Sequence, residues 1–191
     1  GYVPIEEYTF FAVETILSGL WWWFLARKLP NPATRFAPDK RLVYLSTFLL
    51  ATTWSFFTYL FFFGDPQWMY LSITIFWALP PLIIQVLFGA DILWRQRKLV
   101  ALGIIPTTLY LSASDSLAIG SGTWTINVQK TLNKHLPNNL PLEEGLFFLL
   151  TNTLLVFGMI LVLSPESERR IPSTMKASYC RLKRTLIGGT S

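Results

Sequence analysis

Residues 141–163 read PLEEGLFFLLTNTLLVFGMILVL, a stretch that opens with a proline and two glutamates and carries no charge from residue 145 onward. A helix that spans a bilayer needs about 20 consecutive, mostly apolar residues. The run lacks the alternation of apolar and polar positions that is typical of a half-buried strand. It therefore predicts a transmembrane helix with acids in its first turn.

Four further runs of this kind precede it. They cover residues 8–26, 42–63, 68–88 and 99–119. Glu14 and Asp115 are the only charges within them, and Pro80-Pro81 predicts a kink in the third. Of the 191 residues 14% are charged, whereas a soluble domain carries about 25% charged residues. The fold class predicted is an all-α membrane protein with five transmembrane helices.

Lysines and arginines are distributed unevenly among the connections between these runs. Residues 27–41 hold five of them, residues 95–98 three, residues 169–184 six and residues 130–134 only two. Because positive charge marks the cytoplasmic side of a membrane protein, the first three segments are predicted to be cytoplasmic. The net charge of +5 is thus a topology signal, and no nucleic-acid surface is expected.

Residues 1–164 are predicted to form the transmembrane domain, and residues 165–191 a basic cytoplasmic tail of a multi-pass integral membrane protein. Contact of the tail with anionic membrane lipid and a role as a linker to a further domain both remain open.

One motif occurs twice. Residues 4–11 read PIEEYTFF and residues 141–148 read PLEEGLFF, 137 positions apart. Four helices separate the copies, so the two motif helices are predicted to run in the same direction, as in parallel-repeat transporters. On this pattern the last three helices form a second repeat. The first helix would end a first repeat whose two initial helices precede Gly1.

The repeat collects acids at one membrane face. They are Glu6, Glu7, Asp115, Glu143 and Glu144, with Glu14 two turns deeper. A single copy is ordinary helix-start chemistry, but carboxylates at membrane depth are costly and usually functional, and the duplication favours function. Adjacent glutamates project about 100° apart, so a working pair is expected between the repeats. Such a pair suits proton transfer, with one group as acid and another as base.

Aromatic side chains follow both pairs of glutamates. The candidates for substrate contact are Phe10, Phe11, Phe147 and Phe148, together with Asn152 one turn after Phe148. Aromatic faces stabilise a developing carbocation by about 0.5–2 kcal/mol each. The run Trp21-Trp22-Trp23 is predicted to be part of an interfacial belt.

Several kinds of site find no support in the sequence. The single cysteine, Cys180, excludes an internal disulfide and a multi-cysteine metal site, and the single histidine, His135, lies in a polar connection. Gly120-Ser121-Gly122 lacks the third glycine of a dinucleotide fingerprint. We therefore expect neither a metal nor a cofactor.

The doubled motif, together with ETILSG at residues 14–19 and DSLAIGSGTW at residues 115–124, resembles the membrane-integral lycopene β-cyclases. These enzymes occur as heterodimers or fused chains in bacteria and archaea, and as the amino-terminal half of fungal bifunctional lycopene cyclase/phytoene synthases. The resemblance covers about residues 1–164, and residues 141–158 are most similar to the fungal form.

The resemblance implies a step of carotenoid biosynthesis, in which the ψ-ends of lycopene or γ-carotene are isomerised to β-ionone rings without a cofactor. By resemblance Glu6, Glu7, Glu143 and Glu144 transfer protons and Asp115 supports them, with acid and base roles unassigned. In the fungal arrangement the tail would lead into a phytoene synthase domain.

Two other functions remain open on the residues alone. A small transporter or channel could use the same carboxylates as a proton or cation relay, although the second and third helices offer only scattered Ser and Thr and Gln85. A structural anchor for a downstream enzyme would leave the duplicated motif unexplained.

Overall fold

The computed structural model describes residues 5–29, 38–123 and 128–187, and over these residues the chain is built of helices. They are α1 (Ile5–Lys28), α2 (Lys40–Phe63), α3 (Met69–Arg95), α4 (Arg97–Gly120), α5 (Leu142–Leu163), α6 (Pro165–Arg170) and α7 (Ser173–Ile187). The first five are long and apolar enough to cross a membrane, which confirms the predicted all-α membrane fold.

Helix α5 lies at the centre of the bundle, against α1, α3 and α4. Helix α2 packs along α3 as a hairpin, and α1 packs along α4. The largest core cluster joins α1, α3, α4 and α5 through Trp22, Ile92, Ile104 and Val156, among others. Where both lipid and protein interior are apolar, such close packing and interhelical hydrogen bonds hold the helices together.

Helices α1 and α5 run in the same direction, as the repeat predicts. Phe10 of α1 contacts Phe148 of α5, and Ser18, further along α1, contacts Asn152, further along α5. We call the end of the bundle where α1, α3 and α5 begin the motif end, and the opposite end, where α6 follows α5, the tail end.

Two prolines inside the helices leave carbonyl groups without their usual donor, because proline has no N–H to give to the residue four positions earlier. Pro106 of α4 frees the carbonyl of Leu102, which accepts the indole N–H of Trp21 of α1 at 2.8 Å. Pro80 of α3 frees the carbonyl of Phe76, which accepts the indole N–H of Trp54 of α2 at 3.0 Å. In both cases a tryptophan of the neighbouring helix satisfies the freed group.

The kink expected at Pro80-Pro81 stays a prediction, but α3 has a break in its backbone at another position. The backbone of α3 departs from helical dihedral angles at Gly89, near the tail end. A Cβ atom at Gly89 would lie 2.6 Å from Cδ2 of Leu161, so the side chain of Leu161 would have to shift to admit any other residue there. The prolines stay helical because Trp54 compensates for one of the hydrogen bonds that they remove.

The break at Gly89 is closed by polar groups from two elements. Arg170 of α6 donates to the carbonyl of Phe88 at 2.7 Å and to both carboxylate oxygens of Asp91, at 2.9 and 2.5 Å. Asp91 in turn accepts the N–H of Ile92 at 3.0 Å. Arg170 thus anchors the segment after α5 to the tail end of the bundle.

The predicted interfacial belt is wrong for Trp22, which is buried in the largest core cluster. Successive residues of a helix project about 100° apart, so three consecutive tryptophans cannot all face lipid. Trp23 does lie on the surface, with the guanidinium of Arg27 3.5 Å from its ring centroid.

Candidate active site

The two glutamates that begin α5 enter different surroundings, because neighbouring side chains project in different directions from a helix. Glu143 is fully buried, and its Oε1 accepts the backbone N–H of Leu132, from the connection before α5, at 2.7 Å. Its Oε2 has no hydrogen-bond partner among the described residues. Glu144 is half-buried, and its Oε1 accepts the hydroxyl of Tyr70 at 2.6 Å.

Tyr70 lies in the first turn of α3 and reaches α5 at the motif end. Its hydroxyl lies within electrostatic range of three carboxyl groups, those of Glu144, Asp115 and Glu143. The sequence analysis missed this residue, since a tyrosine at the start of an apolar run is usually an interfacial side chain. Its position at the same membrane face as the acids was the only available signal.

Asp115 is buried near the end of α4, which also lies at the motif end. The next residue, Ser116, donates to the carbonyl of Asn138 at 3.1 Å and so ties α4 to the connection before α5. The structure therefore brings together Asp115, Glu143 and Glu144, three of the five predicted acids, and adds Tyr70.

The remaining two predicted acids are Glu6 and Glu7. Their backbone forms the first turn of α1, at the motif end, but their side chains lie outside the described residues. A carboxyl pair between the two repeats therefore stays a prediction.

A cluster of aromatic rings lies one turn deeper than these acids. Phe10 packs edge-on against Phe148, with ring centroids 5.9 Å apart, and Phe11 packs against Phe147 at 5.7 Å. Phe147 also contacts Trp77 of α3 at 6.0 Å. All four predicted phenylalanines thus form one cluster, and their contact with a substrate remains a prediction.

Deeper still, polar side chains join α1, α4 and α5. Glu14 is buried and accepts the hydroxyl of Thr151 at 2.7 Å. Ser18 donates to Oδ1 of Asn152 at 2.5 Å, and the amide of Asn152 donates to Thr108 at 3.3 Å. Asn152 therefore connects three helices from a buried position, and its predicted contact with substrate is not tested by this geometry.

A groove of about 190 Å³ lies between α1 and α4. Its walls are Leu17, Trp21, Pro106, Thr107 and Tyr110. The hydrogen bond from Trp21 to the carbonyl that Pro106 frees holds one wall in place. The groove thus runs along the bundle axis, below the level of Asp115.

Comparison with known proteins identifies relatives over most of the chain. It is 35% identical over 170 residues to a lycopene beta-cyclase of Halobacterium salinarum, a match that covers 83% of this chain and 65% of the relative. It is 32% identical over 186 residues to a bifunctional lycopene cyclase/phytoene synthase of Aspergillus oryzae, covering 90% of this chain and 31% of the relative. A protein of the same name from Blakeslea trispora is 35% identical over 165 residues, 83% of this chain and 27% of the relative.

The chain thus spans less than two thirds of the length of these relatives. No protein-family model matches it, and no solved structure matches it significantly. The archaeal and the fungal relatives nevertheless align with most of its length. The chain is therefore a homologue of the lycopene beta-cyclases over most of its length.

Proposed function

We propose that the chain carries the lycopene β-cyclase activity of its protein and converts ψ-ends of lycopene or γ-carotene into β-ionone rings. The observation that carries the proposal is the convergence of Asp115, Glu143 and Glu144 with Tyr70 at the motif end. Relatives that are named lycopene beta-cyclases support it.

The reaction is an acid–base isomerisation. An acid gives a proton to the terminal double bond, and the cation that forms is attacked by the C5–C6 double bond, which closes the ring. A base then removes a proton from the ring. One proton enters and one leaves, so no electrons are gained or lost and no oxidant is required. Positioned acids and bases contribute about 10²–10⁴-fold each to such steps.

The carboxyl groups at the motif end are the proposed proton donors and acceptors. Those of Glu143, Glu144 and Asp115 are described, and the motif repeat adds Glu6 and Glu7. The rings of Phe10, Phe11, Phe147 and Phe148 lie one turn deeper, where their faces can stabilise the cationic ring precursor.

The groove between α1 and α4 is the proposed site for the adjoining polyene chain. Tyr110 lies five residues before Asp115, or about 7.5 Å along the helix, and Pro106, at the far end of the groove on α4, lies about 13.5 Å from it. An extended hydrocarbon with one end at the acids can therefore lie along the groove, between the rings of Trp21 and Tyr110.

The orientation of the bundle follows from its charges. Because 14 of the 16 lysines and arginines belong to the tail end, we place that end and residues 165–191 in the cytoplasm and the acids on the opposite side. Fungal relatives are named bifunctional lycopene cyclase/phytoene synthases, so a phytoene synthase domain is the proposed neighbour of the tail.

Pigment analysis tests the function. The full-length protein is expressed in a bacterium that accumulates lycopene, and the carotenoids are separated by chromatography. We expect γ-carotene or β-carotene from the parent and from Asp65→Asn, which changes an exposed acid at the motif end. Glu144→Gln is expected to leave lycopene.

Unchanged lycopene with well-inserted parent protein would overturn the proposal. Cyclic product in Glu144→Gln at the parent's level would instead refute the assigned site.

A further inference from the structure

The Glu143–Glu144 pair presents one buried and one reachable carboxyl. Glu143 is fully enclosed and holds the N–H of Leu132, so its oxygen atoms face the connection before α5. Glu144 is half-buried, so part of its side chain remains accessible. Of this pair, Glu144 therefore has the carboxyl that a substrate can reach directly.

Glu144 also accepts a hydrogen bond from another helix. The hydroxyl of Tyr70 of α3 lies 2.6 Å from its Oε1, a short distance that is typical of an O–H donor on a carboxylate. A glutamate side chain has several rotatable bonds, and ordering it costs conformational entropy. Because the hydrogen bond from Tyr70 already orders the side chain of Glu144, less conformational entropy has to be lost when that carboxyl reacts.

We propose that Tyr70 is a positioning residue for Glu144, which it orients as the carboxyl group of this pair that exchanges protons with the substrate. The proposal rests on the cyclase function proposed above. Among the residues whose side chains the structure describes, the other carboxyl groups near the Tyr70 hydroxyl are those of Asp115 and Glu143, and the hydroxyl donates to Glu144.

Kinetics of the full-length protein in membranes test the role. Tyr70→Phe removes the hydroxyl and retains the ring, and we expect kcat to fall about tenfold with KM unchanged, because the lost bond positions the carboxyl for the chemical step and not for substrate binding. Tyr44→Phe is the control, since Tyr44 is an exposed tyrosine of α2.

A double-mutant cycle separates positioning from general damage. If Tyr70 acts through Glu144, Tyr70→Phe lowers the residual rate of Glu144→Gln no further. Fluorinated tyrosines at position 70 change the acidity of the phenol with little change of shape, so the rate should follow that acidity. A packing role would give additive losses and no dependence on acidity, and either result would overturn the inference.

A spectroscopic measurement keeps this inference distinct from the cyclase function. The infrared carboxyl band that disappears in Glu144→Gln should shift in Tyr70→Phe and stay unchanged in Tyr44→Phe, whether or not carotene is cyclised. An unshifted band would refute the Tyr70–Glu144 interaction. Absence of cyclisation by the parent, in contrast, would refute the proposed function.

Discussion

Glu14 of α1 and Thr151 of α5 form a hydrogen bond of 2.7 Å, and they are 137 residues apart, the spacing of the duplicated motif. Equivalent positions of the two motif helices thus contact each other directly. Equivalent positions can touch only next to the axis that relates them. A two-fold axis between the two helices would therefore pass between Glu14 and Thr151.

The aromatic contacts are crossed in the manner that such an axis requires. Phe10 and Phe147 are equivalent in the repeat, as are Phe11 and Phe148, yet the pairs in contact between the two helices are Phe10 with Phe148 and Phe11 with Phe147. Reciprocal contacts of this kind are the signature of a two-fold relationship. The motif helices therefore pack as a pseudo-symmetric parallel pair.

The Glu14–Thr151 hydrogen bond should be measurable in the stability of the bundle. Thr151→Val removes the hydroxyl donated to the buried carboxyl, and we expect a loss of about 1 kcal/mol, within the range found for interhelical hydrogen bonds in membranes. Thermal unfolding in detergent micelles provides the measurement. Thr153→Val is the matched control, because Thr153 bonds only within its own helix, to the carbonyl of Leu149. Equal effects of both variants would contradict the prediction.

The Trp21 bond to the carbonyl of Leu102 should become dispensable once Pro106 is replaced. Trp21→Phe leaves the carbonyl of Leu102 without a donor, and we expect unfolding to become easier by about 1 kcal/mol. In Trp21→Phe/Pro106→Ala the new backbone N–H can bond to Leu102, so much of the loss should be recovered. Denaturation of the single and double variants in micelles measures the recovery. Strictly additive losses would show that Trp21 contributes by packing alone.

Removing Arg170 should loosen the tail end more than removing its neighbour. Arg170→Ala leaves the buried carboxylate of Asp91 and the carbonyl of Phe88 without the guanidinium, and a broken buried ion pair costs about 3 kcal/mol. Arg169→Ala, at an exposed position, should cost far less. Limited proteolysis of the segment after α5, together with thermal unfolding, measures both. Similar cleavage of the two variants would refute the anchoring role of Arg170.

The segment after α5 should also respond to acid. Burial raises the pKa of Glu166, but the hydrogen bond from Ser164 and the charges of Arg95 and Arg169 outweigh it and hold the pKa below its ordinary value of 4.5. Its carboxylate therefore stabilises the folded state above that value, and the contribution is lost as the pH falls through the lowered folded pKa. Parent and Glu166→Gln should differ in stability at neutral pH and converge in acid. A difference that does not change with pH would disprove this.

Filling the groove should weaken substrate binding. Leu17→Trp places a larger side chain between α1 and α4, and we expect KM for the carotene to rise severalfold with a smaller change in kcat. Leu45→Trp adds the same bulk on the lipid-facing side of α2 and serves as the control. Assays in membranes at varied lycopene content give both constants. An unchanged KM in Leu17→Trp would exclude the groove as the polyene site.

The five spans could be predicted from the sequence because the hydrocarbon thickness of a bilayer sets the length of a spanning helix, and long apolar runs report that length directly. The common direction of α1 and α5 followed from the number of spans between the two motifs. The same count placed Asp115 at the end of the bundle that holds Glu143 and Glu144.

Which side of each helix is buried, and how each helix is rotated about its own axis, were decided only by the tertiary structure. In a soluble protein the apolar stripe of a helix shows which side is buried, but here both lipid and protein interior are apolar, so the pattern does not distinguish Trp22 from Trp23. The sequence determined which acids lie at the same face of the membrane. Which of them is enclosed, and that Tyr70 is the partner of Glu144, depended on how α3 and α5 pack.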